Sequence, residues 1–226
     1  EELHPVQRES LLAEAVILEE VDESLNTTTN FPAFVQHDFI ITGEDGVSFE
    51  DEESVTVEVT EANSALTLSV DQPERLIGQE VFLFIEGIDY QPLENRLFVQ
   101  ESTQFRLNAE FNQQQKRILQ SDRFRFSSYF KRENILIHFN EVTELEEALL
   151  LKFENTGFYN FDAISLVSRS YNQEESAALA VEKQNRALTL DTFTNEYVSG
   201  TINNEKAGFL VTSIPYSTGW SVFVNG

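Results

Sequence analysis

The sequence predicts a mainly β protein: an antiparallel β-sandwich or jelly-roll-like domain, then a smaller β unit, with two short helices. Three observations point there. Apolar and polar residues alternate with a period of two through most of the chain, as on half-buried strands. Gly, Asn and Asp break these runs at the spacing of a sandwich. The longest apolar stretches, "VFLFI" at 81–85 and "ALLL" at 148–151, are strand-sized, far short of the roughly 18 residues that suggest a membrane helix.

The first element is an exception to the alternation. Residues 5–20, "PVQRESLLAEAVILEE", predict a helix: Pro5 suits the first turn, and Leu11, Leu12, Ala15, Val16 and Leu18 form an apolar stripe. "SLNTTTNFP" at 24–32 follows as a connector, since Pro32 discourages helix. The period then falls to two. "SVTVEVT" places Val55, Val57 and Val59 on one face, and "SALTLSV" does the same with Leu66, Leu68 and Val70. "VFLFIEG" is apolar on both faces, as a strand buried on both sides should be. Further strands are expected at 96–100, 104–111, 123–130, 134–139, 148–154 and 161–168. A second helix fits 172–184, capped by Asn172, with Glu174 and Glu175 in its first turn and Lys183 in its last. Strands at 187–190, 196–202, 207–214 and 219–225 complete the pattern. The expected organisation is a helix and connector at 1–29, a sandwich at 30–171, and a helix plus C-terminal β unit at 172–226. That last unit reads as truncated, because Asn225-Gly226 asks for a hairpin turn and no return strand follows.

Composition narrows the function. The 226 residues include 19 Phe and 6 Tyr and are 41% hydrophobic, which excludes a disordered acidic tail. The 39 acids against 15 bases give a formal net charge of −24. A chain so acidic repels nucleic acid, so no nucleic-acid partner is expected. There is no Cys, which rules out disulfides and thiolate metal sites.

The usual catalytic signatures do not emerge. His4, His37 and His138 are far apart, with no His-x-x-x-His pair for zinc. His138 alternates with Ile137 and Phe139, and a structural or surface role is its first reading. No nucleophile elbow, P-loop or dinucleotide fingerprint is present. The densest acidic run, "GEDGVSFEDEES" at 43–54, lacks the spacing of a calcium loop and reads as a solvated connection between strands. Neither a catalytic residue nor a metal or cofactor site is therefore assigned.

One stretch opposes the global charge. Lys116, Arg117, Arg123, Arg125, Lys131 and Arg132 place six of the fifteen bases in 17 residues, with Asp122 the one acid among them. Arg123 and Arg125 alternate with Phe124 and Phe126. The stretch is read first as neutralised by the protein's own acids, and alternatively as an anion-binding patch for phosphate groups. Trp220, Val222 and Val224 alternate as one strand face, which favours core burial of Trp220 over sugar stacking.

The closing stretch, "GFLVTSIPYSTGWSVFVNG" at 208–226, resembles the C-terminal signature of the YfhO family of bacterial membrane proteins: a strand ending in "SIPY", a short turn, "GW", and a strand ending in Asp-Gly or Asn-Gly. "HPVQRESLLAEAV" (4–16), "GQEVFLFIEGID" (78–89) and "FYNFDAISLVSRSYNQEESAALA" (158–180) resemble further family segments in the same order, although His4 and Val6 depart from the family's pattern. The resemblance implies an extracytoplasmic region of a multi-pass membrane protein similar to glycosyltransferases that use lipid-linked sugars. Such relatives decorate teichoic-acid-type wall polymers. Their catalytic acid lies in the membrane part, so no catalytic residue carries over to this chain. The implied partners are the parent transmembrane region and a cell-wall glycopolymer or lipid-linked sugar. Pro215, Tyr216, Gly219 and Trp220 match the signature and are read as turn-forming and packing residues. The alternative function is a stand-alone carbohydrate-binding or adhesion module of the cell surface.

Overall fold

A computed structural model describes residues 4–8, 33–51, 54–93, 104–120, 133–203, 219 and 221–224. They fall into two compact units that part between Tyr171 and Asn172.

The larger unit carries β1 (Val35–His37), β2 (Phe39–Gly43), β3 (Val47–Asp51), β4 (Val55–Val59), β5 (Ala65–Val70), β6 (Gln79–Glu86), β7 (Asp89–Pro92), β8 (Phe105–Phe111), β9 (Gln114–Gln120), β10 (Ile135–Glu141), β11 (Ala148–Phe153), β12 (Gly157–Phe161) and β13 (Ala163–Ser170). One layer is a five-stranded sheet in the order β2-β5-β11-β8-β9. The other consists of two four-stranded sheets, β1-β13-β6-β10 and β3-β4-β12-β7. All the strand pairings are antiparallel. The fold is a β-sandwich.

The two four-stranded sheets are one bent layer. β6 runs into β7 and β12 into β13, and the register carries across the break, with Gly157 opposite Pro92 and Ala163 opposite Glu86. At the bend Gly87 takes φ +60°, a left-handed backbone conformation that favours a residue without a Cβ.

Side-chain alternation fills the space between the layers. Val55, Val57 and Val59, Leu66, Leu68 and Val70, and Leu107, Leu149 and Leu151 all point into a single core. The expectation for "VFLFI" holds. Val81, Leu83 and Ile85 enter that core, while Phe82 joins a second cluster on the outer face with Val6 and Val167. Val6 comes from a helical turn at residues 5–8, the part of the expected 5–20 helix that lies within the described residues. Sheet β1-β13-β6-β10 is thus covered on both faces, which explains an uninterrupted apolar run.

The acidic run expected to be loop is partly strand, and a strand at Gln114–Gln120 was not foreseen. β3 takes up half of the acidic run at 43–54: Val47 and Phe49 pack against the core while Ser48 and Glu50 alternate with them. β9, "QQKRILQ", carries little alternation; among the described residues it is the edge of its sheet, held to β8 by backbone pairing. The expected strands at 96–100, 123–130 and 207–214 lie outside the described residues. Within 219–225, Ser221–Phe223 adopt no regular structure, and Val222 and Val224 are exposed. Their sequence alternation does not bury them.

In the second unit α1 (Gln173–Asn185) begins where Asn172 Oδ1 accepts from the backbone N–H groups of Glu174 and Glu175, at 3.1 and 3.2 Å. β14 (Thr189–Phe193) pairs with β15 (Val198–Thr201) in a hairpin with a bulge at Asp191. The extra residue lets Leu190 and Phe193, three apart, share one face with Val198, leaving Thr189, Thr192, Ser199 and Thr201 on the other.

Gly157 is the glycine that most constrains the sandwich. A Cβ there would lie 2.4 Å from the Gln91 carbonyl oxygen and 2.5 Å from the Tyr90 ring. Gly157→Ala should lower the unfolding free energy by about 2–4 kcal/mol, because the obstruction is a paired backbone that cannot step aside. Urea unfolding followed by tyrosine fluorescence measures this, and a change below about 0.5 kcal/mol would show that the strand pair shifts freely.

Candidate functional site

The outward side of the five-stranded sheet gathers the charge. On β8 the core takes Phe105, Leu107, Ala109 and Phe111, leaving Arg106, Asn108 and Glu110 to face out. Asn108 pairs with Arg117 on β9 and Lys152 on β11, and Glu110 pairs with Gln115 and Leu150. Directly opposite residues share a face. The pleat therefore places Arg106, Arg117 and Lys152 beside Glu110 and Glu154, three cations and two carboxylates.

Their contacts form two groups. Glu154 receives a hydrogen bond from Asn108 Nδ2 at 2.8 Å and another from Arg117 Nη2 at 3.1 Å, and Arg106 Nη1 stands 3.8 Å away. Glu110 accepts from Lys152 Nζ at 2.6 Å and from Gln115 Nε2 at 3.0 Å. Asn108 first, then Arg117 and Arg106, hold the Glu154 carboxyl below its ordinary range. An open cavity of about 360 Å³ adjoins the first group, lined by Gln104, Arg106, Glu154 and Asn155.

The turn carrying Glu154 is anchored from below. Arg106 O accepts from Glu154 N at 3.0 Å, and Arg106 N donates to Asn155 Oδ1 at 2.9 Å. Tyr159 and Tyr90, both buried, donate their hydroxyls to the carbonyls of Asn155 and Thr156, each at 2.9 Å. Burial pushes both phenols above their ordinary value, so both remain donors.

Of the basic residues singled out in the sequence, Arg117 belongs to this face. Lys116 pairs with Ala109 and so points to the other side of the edge strand. Arg123, Arg125, Lys131 and Arg132 lie outside the described residues, as do Pro215, Tyr216 and Trp220; Gly219 sits in a turn. Arg106, Lys152, Glu110 and Glu154 escaped the sequence reading because they come from two strands separated by some forty residues. The signal that could have found them was the phase of β8, whose Arg106 and Glu110 alternate with the core residues.

The three histidines go to three places around one sheet. His4 stacks on Phe34 at 4.5 Å and meets Phe84 edge-on at 5.5 Å. His138 stacks on Phe82 at 4.5 Å, with its Nε2 3.3 Å from Glu80 Oε1, a carboxylate that also accepts from Arg169 Nε at 2.5 Å. His37 is buried, and its Nε2 is hydrogen-bonded to Ser168 Oγ at 2.7 Å. Among the described residues no group of three or more His, Asp or Glu side chains converges on a metal position, and no helix is long and apolar enough to cross a membrane.

The sequence model of the family described as "Bacterial membrane protein YfhO" matches residues 1–226. The chain belongs to the YfhO family. No curated protein matches it in sequence. Among solved structures it is similar to the CBM22-1 xylan-binding domain of Paenibacillus barcinonensis Xyn10C, at 14% identity and a TM-score of 0.34, over 64% of this chain and 100% of that one.

His37 generates a pH dependence. Burial, and secondarily Arg75, lower its pKa from 6.5, against a raising contribution from Asp38. The unfolded chain thus binds the proton more readily, so stability is fully present above pH 6.5 and declines as pH falls towards the native value. His37→Gln, which can still bond Ser168, should flatten the melting temperature between about pH 7 and pH 5.5. Scanning calorimetry across that range checks it; an unchanged slope would assign the effect elsewhere.

Proposed function

We propose that this YfhO-family chain is an extracytoplasmic, non-catalytic β-sandwich of a lipid-linked-sugar-dependent membrane glycosyltransferase. Its outward five-stranded face docks the anionic wall polymer, of teichoic-acid type, that the membrane part glycosylates. The observation that carries this reading is the family match over residues 1–226, joined to a sheet face where cations outnumber carboxylates on a chain of net charge −24. Flat sandwich faces suit extended polymers, because successive groups can meet successive cross-strand rows. Guanidinium groups suit phosphate, offering paired donors in a planar fork.

Biolayer interferometry of residues 1–226 on immobilised poly(glycerol phosphate), with a neutral glucan as control, tests the reading. Binding should be selective for the phosphate polymer, weaken with salt, and fall at least about tenfold in the Arg106→Glu/Arg117→Glu double variant. Equal retention by the two proteins, or preference for the neutral glucan, would overturn it in favour of a carbohydrate-binding module.

A further inference from the structure

The arrangement around Glu154 has the form of an occupied anion site. Asn108 Nδ2, Arg117 Nη2 and Arg106 Nη1 approach one carboxylate at 2.8, 3.1 and 3.8 Å. They come from two adjacent strands whose pairing sets Asn108 opposite Arg117, so the sheet brings the three donor residues together on one face. We propose that Arg106, Asn108 and Arg117 are a phosphate-binding site in which Glu154 is a resident internal anion, displaced when a phosphate group of the ligand arrives. This deepens the docking reading above and rests on it for the identity of the polymer.

Two features distinguish a displaceable carboxylate from a structural ion pair. First, the turn does not depend on the Glu154 side chain. Its backbone is held by Arg106 O, by the Asn155 carboxamide on Arg106 N, and by the hydroxyls of Tyr90 and Tyr159. Gly157 then leads directly into β12, paired on both sides with Val59 and Pro92. The carboxylate can swing away without loosening any of these. Second, the donors can be reached from solvent. The side chains of Arg106 and Arg117 are 45% and 57% exposed, and the cavity of about 360 Å³ opens beside Arg106 and Glu154.

Exposed pairs of this kind add little to stability, so releasing Glu154 costs the fold little. These donors hold the Glu154 carboxyl below its ordinary range, which itself lies well below neutral pH, so the carboxylate is charged when a ligand arrives. An incoming phosphate must therefore expel a charge, and the site responds best to a doubly charged or repeated phosphate that outcompetes one carboxylate. Nearby Glu110 is engaged with Lys152 and Gln115 and does not touch the two arginines.

The test is a titration of residues 1–226 with inorganic pyrophosphate, followed by NMR through the Nε–Hε signals of Arg106 and Arg117. Glu154→Gln should bind at least about tenfold more tightly than the parent chain, the worth of one charged competitor removed. Glu110→Gln removes the same charge from the same face and should improve binding by less than about threefold. Adding Arg117→Gln to Glu154→Gln should abolish the gain. Equal affinity of Glu154→Gln and the parent chain would overturn the proposal, as would an equal gain from Glu110→Gln, which would mark a general field effect. If Glu154→Gln lowers the melting temperature, Glu154→Asp, which withdraws the carboxylate by one methylene, replaces it with the same expected direction. Tighter pyrophosphate binding by Glu154→Gln, with no poly(glycerol phosphate) binding by the parent chain, keeps the internal anion and removes the polymer. The reverse pattern keeps the polymer and removes the internal anion.

Discussion

Tyr159 ties the interior of this sandwich to its charged face. Its ring sits fully buried among Tyr90, Phe105 and Phe153, with centroids 4.7 to 5.6 Å away. These rings come from β7, β8 and β11, so the cluster joins both layers. Its hydroxyl leaves that apolar surrounding at one point, to donate to the Asn155 carbonyl. A buried phenol needs such a partner, and a turn carbonyl facing inward needs such a donor. Meeting both requirements at once fixes where the 154–157 turn leaves the sheet, and hence where Glu154 meets Arg106 and Arg117. The electrostatics of the surface are set by a hydrogen bond beneath it.

The pleat then does the sorting. Each strand of the five-stranded sheet sends alternate side chains to the core, and what remains on the outer side is decided by register. Sliding β9 so that Arg117 came opposite Leu107 would send Arg117 inward and set Lys116 opposite Asn108, leaving an arginine and a lysine where two arginines stand. The core forbids that slide, because Ile118 pairs with Leu107 in the interior and cannot be exchanged for a charge. A hydrophobic pairing thus protects the geometry of a polar cluster on the opposite face.

How much of this was legible beforehand depended on the range of the interaction. Val55 to Val59 and Leu66 to Val70 announce their strands because both faces of each have different surroundings, and alternation records that difference. "VFLFI" was legible for the opposite reason, having apolar cover on both sides. The edge strand β9 was not legible, since backbone pairing leaves no pattern in Gln and Lys side chains. Nor was β3, where a dense run of acids hid the inward pair Val47 and Phe49. The bulge at Asp191 shifts the phase within β14, so Leu190 and Phe193 look opposed in sequence and share a face in space. For the site, Arg117 could be seen in the chain as part of a basic run, but its partners could not. Arg106 and Glu154 become neighbours only when β8 and β11 pair, a long-range event with no local trace.

Net charge is a poor guide to what such a face can hold. At physiological ionic strength a charge is screened over roughly 8 Å, so what bears on a ligand resting on Arg106 and Arg117 is the set of charges close to them, not the 39 acids of the whole chain. What the ligand meets is the local balance: Asn108 and two guanidinium groups around one carboxylate, with Lys152 already committed to Glu110. The net charge of −24 acts earlier, during approach, when it lowers the encounter rate of any polyanion. An acidic protein with a locally balanced basic cluster therefore separates two properties that composition merges. Its long-range field keeps it from adhering to anionic polymers at large, while its short-range geometry decides where a single phosphate group can settle.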